Sequence, residues 1–180
     1  MEYLDVLDEE GEPTGQSVSR EEVHEKGLWH RSAQVLLMDS DGRVFVHRRA
    51  DSKKYYPDLL DVYFGGHVLS GETPKGALIR EVKEEIGIDL SEEELSFLFG
   101  IRKEDSQGGG AFVNNDFAEV YLARKDFARE DCVLQDEEIS EVMFLEYDEL
   151  VRSVNEAGSG FIPREREYDL LFESLKQQTL

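Results

Sequence analysis

Three glutamates carry the strongest chemical signal in the chain. Glu81, Glu84 and Glu85 stand at positions i, i+3 and i+4, so on a helix their carboxylates share one face. Like charges at that spacing repel by roughly a few tenths of a kcal/mol per pair on an exposed helix. A hard, oxygen-seeking cation such as Mg²⁺ or Mn²⁺ turns that repulsion into coordination. The bare spacing also describes a solvated acidic face, and the surrounding segment, Gly66 to Ile88, decides between the two readings. It runs from a glycine-rich loop into a capped helix, with Thr73 as N-cap, Pro74 at the first helical position and Gly87 as the C-terminal stop. Ile79, Val82 and Ile86 recur at helical spacing and give that helix an apolar face.

Taken whole, the segment resembles the Nudix signature, G-x5-E-x7-R-E-U-x-E-E-x-G-U with U a bulky aliphatic residue, and does so without a mismatch. Gly66 opens it, Glu72 is the first acid, Arg80-Glu81 and Glu84-Glu85 are the two paired positions, Val82 and Ile88 are the aliphatic ones, and Gly87 is the late glycine. The resemblance implies an α/β fold, an α/β/α sandwich around a mixed β-sheet, and cleavage of a diphosphate bond with Mg²⁺ or Mn²⁺ as cofactor. It implies a metal set of Glu81, Glu85 and Glu84 with Gly66 beside them, and a catalytic set of Glu84, Glu85, Glu81 and Arg80. Arg80 would orient the glutamates by salt bridge and Glu72 would brace the loop. Many Nudix enzymes carry the general base on a late loop, which here points to Glu137 and Glu138 in the acidic run after Asp136.

Size and composition agree with one such domain over residues 1–180. The chain is 39% hydrophobic and 34% charged, a globular composition, and its length suits a single core. No apolar run approaches the ~20 residues of a membrane span, and the N-terminus, Met1 to Asp5, lacks the basic and apolar regions of a signal peptide. Cys132 is the single cysteine, so neither an intramolecular disulfide nor a Cys-based metal site can form. These features favour the cytoplasm. Forty-one acids against 20 Lys and Arg give a net charge of −21, a field that repels nucleic-acid backbones. The same field opposes a diphosphate unless metals and local cations invert it at the site. The expected partner is therefore a small-molecule diphosphate, not a nucleic-acid polymer or a membrane, with a homodimer possible by family resemblance.

The elements that must position these residues follow from periodicity and turn chemistry. An N-terminal hairpin about residues 1–30 begins with a strand over Tyr3 to Leu7, turns through Asp8 to Gly15 and returns over Gln16 to Ser19. Arg20 to Lys26 reads as a brief helix ended by Gly27. Ala33 to Met38 is an apolar strand, Ser40-Asp41-Gly42 a hairpin turn, and Arg43 to Arg49 the returning strand. Asp61 to Phe64 feeds the glycine loop. Beyond the signature, strands are expected over Glu94 to Ile101, Ala111 to Leu122 and Ile139 to Leu145, with Ser106 to Gly110 and Lys125 to Glu138 as loops. A helix over Tyr147 to Val154 and a last amphipathic helix about 164–177 close the chain.

Outside the signature, His47 to Lys54 concentrates five potentially cationic side chains within eight residues of an acidic protein. Arg suits bidentate phosphate contact and Lys a point-charge contact, so Arg48, Arg49, Lys53 and Lys54 are candidate diphosphate binders; the alternative is a solvated strand end. The layout from about Tyr3 to about Tyr147 is also similar to type 1 isopentenyl-diphosphate isomerases. The similarity rests on His24 and His30, Arg48 to Pro57, the Gly66-His67 pair, and Asn114-Asn115-Asp116. It implies substrate-side roles for His67 and Asp116, and metal ligation as an alternative to ordinary hydrogen bonding for His24, His30 and His67. Gly65 stands where those isomerases carry a catalytic cysteine, which removes half of their acid–base pair. The expected function is a divalent-metal-dependent hydrolase of a nucleoside diphosphate linked to another moiety, or of a related small diphosphate. An isomerase-like enzyme and a non-catalytic nucleotide-sensing module are the alternatives.

Overall fold

The computed structural model describes every residue except 108–111, 157 and 179–180, and gives only the backbone of 105–107, 112 and 165. The expected Gly108 to Gly110 loop and the start of the strand at Ala111 lie outside the described residues.

The strand β3 (Trp29–Met38) lies at the middle of a mixed sheet. Its C-terminal run is apolar on both sides, the pattern of a strand covered on both faces. Ala33, Val35 and Leu37 pack into one core with Leu78, Val82 and Ile86 of α2 (Pro74–Ile86). Leu36 and Met38 face the opposite core, with Leu150 of α3 (Tyr147–Val154) and Leu171 of α4 (Glu165–Gln178). One strand thus feeds two hydrophobic layers by its two-residue alternation, and the result is the expected α/β/α arrangement.

Antiparallel to β3 run β1 (Tyr3–Leu7), β4 (Val44–Arg49) and β6 (Phe64–His67), whereas β8 (Phe112–Arg124) is parallel to it from Trp29↔Asn115 to Met38↔Arg124. The two-residue β5 (Leu60–Asp61) and β9 (Ile139–Leu145) flank β4, and β7 (Leu95–Gln107) flanks β8. β2 (Pro13–Ser19) is an edge strand beside β1, which is why Pro13, expected in the turn, can open it at little cost to the ladder. The helix α1 (Arg20–Lys26) is capped by the Ser19 side chain and ended by Gly27 in the left-handed region, as expected.

Four expectations are corrected. β3 begins at Trp29 rather than Ala33 because backbone pairing to β8 carries the polar stretch His30 to Ser32. The single strand expected over Asp61 to Phe64 is two short ones, β5 on β4 and β6 on β3. β7 runs on to Gln107, so Ser106 and Gln107 are strand rather than loop. The last helix starts at Glu165, leaving Arg164 just outside it.

Candidate active site

Local sequence builds the glutamate face. Thr73 accepts from the Gly76 N–H, Pro74 opens α2, and Gly87 closes it with φ 75°. The apolar side of α2 lies on the sheet, which brings Glu81 and Glu85 against the paired glycines of β6. A Cβ on Gly66 would lie 2.7 Å from Glu81 Oε1, so the absent side chain makes room for the carboxylate. The Gly65 N–H donates to Glu85 Oε2 at 3.2 Å.

Arg80 ties the loop to the helix. Its Nε and Nη2 donate to the two oxygens of Glu72 at 2.8 and 2.9 Å, its Nη1 to Glu81 Oε1 at 2.8 Å, and its Nη2 to the His67 carbonyl at 3.2 Å. Glu72 also accepts from the Leu69 N–H at 3.0 Å. It is a brace, as expected, and the Arg80 fork holds its carboxyl below the usual range. Glu84 lies at the open edge, 3.5 Å from Arg80 Nη1 and more than half exposed. Burial pushes Glu81 upward, and burial together with the Glu81 charge pushes Glu85 well above an ordinary carboxylate. No Lys or Arg pairs with Glu85 among the described residues. A set-back carboxylate without a cation, beside a second one, suits a hard divalent ion.

On the far side of Gly66 opens a cavity of about 600 Å³. Alternation sends His30, Ser32 and Gln34 of β3 to this face, opposite the Ala33 and Val35 that meet α2. Cross-strand register adds His67 opposite Ser32, Asp116 opposite His30, and Lys103 opposite Asp116. Asp116 is buried, accepting from the Ser32 hydroxyl in a close contact and from Asn114 Nδ2 at 2.8 Å.

The three histidines, 37 residues apart between His30 and His67 in the chain, meet at one end of this floor. One ligand atom from each of His24, His30 and His67 lies within 4.8 Å of the other two. His24 Nδ1 is 2.7 Å from the Arg20 carbonyl, so in the neutral ring Nε2 carries a lone pair, and that lone pair faces Asn114 Oδ1 at 3.2 Å. His30 directs Nδ1 at the Leu28 carbonyl, 3.1 Å away, while its buried Nε2 has no hydrogen-bond partner among the described residues. Burial lowers His30, and burial with the neighbouring His30 lowers His67 well below the usual range. Three imidazoles with one ring nitrogen each this close, two of them disfavoured as cations by burial, have the chemistry of a nitrogen-donor metal site.

The basic segment divides. Arg49 lines the cavity, with Nε and Nη2 donating to the Tyr55 carbonyl at 3.2 and 3.1 Å. Arg48 turns to Glu141 Oε2 at 3.3 Å and the Asp58 carbonyl at 2.8 Å. Lys53 makes a close ion pair with Glu138, and Lys54 sits 5.1 Å above the Tyr55 ring. Neither Arg48, Lys53 nor Lys54 lines the cavity. Glu137 is exposed, whereas Glu138 is half-buried and its charge is felt by Glu85. Ser32, Gln34, Lys103, Arg164 and Glu167 line the cavity without having been singled out in the sequence. The polar residues within β3 were the available sign for the first two, since a central strand buries both faces.

Residues 28–164 match the sequence model of the NUDIX domain, and the chain belongs to the Nudix family. It is 31% identical to Nudix hydrolase 3 of Arabidopsis thaliana over 98% of its own length but spans only 24% of that relative. A Nudix hydrolase of Clostridium acetobutylicum is 35% identical over 84% of this chain and 73% of its own. A crystal structure of a Deinococcus radiodurans protein superposes with a TM-score of 0.65 at 27% identity, covering 89% of this chain and 92% of that one.

Proposed function

We propose that the protein is a divalent-metal-dependent pyrophosphohydrolase that cleaves the diphosphate of a nucleoside diphosphate linked to another moiety, or of a related small diphosphate. The observation that carries this reading is the meeting of Glu81 and Glu85 with the glycine pair of β6, whose Gly66 also lines a cavity that holds several cations. Glu81 and Glu85 would hold Mg²⁺ or Mn²⁺, with Glu84 at the open edge as a further ligand. When bound, the metal supplies charge stabilisation to the phosphoryl group and lowers the pKa of water. Arg80 fixes the Glu81 carboxylate through its 2.8 Å bond and anchors the loop through Glu72. Gly66 keeps the approach to Glu81 open. Glu138, close enough for its charge to act on Glu85, is the general-base candidate of the two late acids.

The histidine cluster favours a second reading, a metal-dependent isomerase-like enzyme in which His24, His30 and His67 hold the ion. Gly65 speaks against it. A side chain there would put its Cβ 2.3 Å from the Ala33 carbonyl, at φ 131°, so the backbone excludes a thiol at that position. The test is a hydrolysis screen of nucleoside triphosphates, dinucleotides, nucleotide sugars and coenzyme A derivatives with Mg²⁺ or Mn²⁺, alongside isopentenyl diphosphate. Metal-dependent release of a nucleotide product is expected. Conversion of isopentenyl to dimethylallyl diphosphate, or no turnover across the panel, would overturn the reading.

A further inference from the structure

The cavity inverts the charge balance of the protein. The chain holds 41 acids against 20 Lys and Arg, yet among the described residues Arg49, Arg102, Lys103, Arg164 and Arg166 line this one space against Glu104, Asp116 and Glu167. These cations are not equivalent. Arg164 is half committed: Nη2 is 2.8 Å from Asp61 Oδ2 in a buried pair, while the buried Nη1 has no hydrogen-bond partner among the described residues. Arg102 lies 4.3 Å over the Trp29 ring and 3.0 Å from Glu104. Lys103 is held loosely. Its ammonium is 3.7 Å from Asp116 Oδ2 and 3.9 Å from Glu167 Oε2, both too long for hydrogen bonds. Its short contact is the Gln34 amide oxygen at 3.3 Å, in the orientation that lets the Gln34 nitrogen donate to Glu167 Oε1 at 2.8 Å. Arg166 lies on the first turn of α4, exposed, and no carboxylate pairs with it among the described residues.

Strand order gives the backbone distance from Lys103 to Gly66, beside the glutamate face. Lys103 is on β7, and Gly66 is on β6. Between them lie β8 and β3, so three strand spacings separate the two backbones, about 14 Å at the usual interstrand distance. Register adds an offset along the strands, because Lys103 aligns through Asp116 with His30 while Gly66 aligns with Ala33. Two phosphoryl groups sharing one oxygen cannot lie on the glutamate face and reach across the sheet as well. The intervening floor of Ser32, Gln34 and Asp116 is polar and uncharged apart from one carboxylate, the surface that hydroxyls and amides of an intervening arm can meet.

We propose that Lys103 and Arg166 form a second anion-binding subsite at the end of the cavity remote from Glu81 and Glu85. The substrate is then a diphosphate whose far arm ends in a further anionic oxyacid group, a phosphate or a carboxylate. This rests on the hydrolase reading above and narrows it. Residue 166 lies beyond the part of the chain that matches the family model, so the subsite is a property of this chain's last helix joined to β7.

The test uses substrates matched except for one distal charge: coenzyme A against dephospho-coenzyme A and NADPH against NADH for phosphate, UDP-glucuronate against UDP-glucose for carboxylate. With Mg²⁺ or Mn²⁺ present, kcat/KM is expected to favour the charged member of at least one phosphate or carboxylate pair by tenfold or more. In Lys103→Met/Arg166→Gln that ratio falls toward one. Calorimetric Kd values for the same pairs with Glu85→Gln read the preference without turnover and also cover the case in which the double variant does not fold. Ratios near one in every pair, in the wild-type enzyme and by calorimetry, would overturn the subsite while leaving hydrolysis intact. Loss of all metal-dependent hydrolysis with a preserved binding preference would instead overturn the hydrolase reading and retain the subsite.

Discussion

The two sides of Gly66 are built on different principles. On the α2 side, Glu72, Arg80, Glu81 and Glu85 come from 14 consecutive positions, 72–85, and helical spacing with two caps is enough to assemble them. On the cavity side, His24, His30, His67, Lys103, Asp116 and Glu167 come from six elements, and sheet register assembles them. The helix side therefore tolerates change elsewhere in the fold as long as α2 stays seated. The cavity depends on the alignment of β3, β6, β7 and β8 at once. The chemistry divides in parallel, oxygen donors and hard-metal character on one side, nitrogen donors and cations on the other.

The largest effect is expected from Glu85→Gln. It keeps the shape of the side chain and its contact with the Gly65 N–H while removing one ligand charge. Metal-dependent turnover should fall on the order of a thousandfold, about 4 kcal/mol of transition-state stabilisation. Stability in the absence of metal should hold or rise, because a buried charge has been removed. Turnover near that of the wild type would move the reacting centre across Gly66 toward the histidines, and the comparison would have to be reversed.

His47 tests how firmly the helix-side core is closed. It is 3% exposed, lies 4.7 Å from the Phe64 ring, and burial lowers it from 6.5 to about 4. The folded state then binds this proton less well than the unfolded state does. Its contribution to stability is full above about pH 6.5 and is lost as pH falls toward 4. The loss amounts to about 3 kcal/mol at 1.36 kcal/mol per pKa unit. Denaturant titrations between pH 7 and 4 should show that descent together with those of the buried His30 and His67, and His47→Gln should make it shallower. An equal slope in the variant would mean that another group titrates there.

Legibility in the sequence follows the same division. Thr73, Pro74 and Gly87 marked the limits of α2, and Ile139–Leu145 and Tyr147–Val154 have the bounds that alternation and helical spacing suggested. These are local signals. The polar residues of β3 were not legible as strand, because His30, Arg31 and Ser32 owe their conformation to partners 86 positions away, His30 to Asp116 for one. The meeting of three histidines needed that register too, and each alone reads as an ordinary hydrogen-bonded ring. Glu167 carried no sign at all. A buried acid on an amphipathic helix is visible only once Lys103, Gln34 and Arg164 surround it.

A smaller effect is expected at the boundary itself. Gly66→Ala would place a methyl group 2.7 Å from Glu81 Oε1, and the flexible end of the glutamate can move away. The fold should lose about 1 kcal/mol or less. Metal affinity, read by Mn²⁺ titration, should weaken by tenfold or more if, as proposed, the displaced carboxylate is a ligand. Unchanged affinity would detach Glu81 from the metal.

The smallest effect is expected from Lys53→Ala/Lys54→Ala, and its size bears on which cations belong to which side. Sequence alone groups Arg48, Arg49, Lys53 and Lys54 as one patch facing a diphosphate. The structure sends Arg48 to Glu141 and Lys53 to Glu138, and leaves Arg49 as the member that lines the cavity. Both partners of the Lys53–Glu138 pair are partly exposed, and such pairs contribute about 0–1 kcal/mol. Stability should therefore change little. The charge removed is two units in a −21 protein, so long-range attraction of an anionic substrate should weaken mainly at low ionic strength, where the Debye length is long. We expect kcat/KM to fall by less than tenfold at low salt and to recover toward the wild-type value at about 0.15 M. Arg49→Ala should cost more, and its loss should persist at high salt, because a guanidinium at the cavity wall acts at contact distance. A salt-independent loss in the lysine variant equal to that of Arg49→Ala would mean that the 51–59 segment closes over bound substrate and carries both lysines in with it.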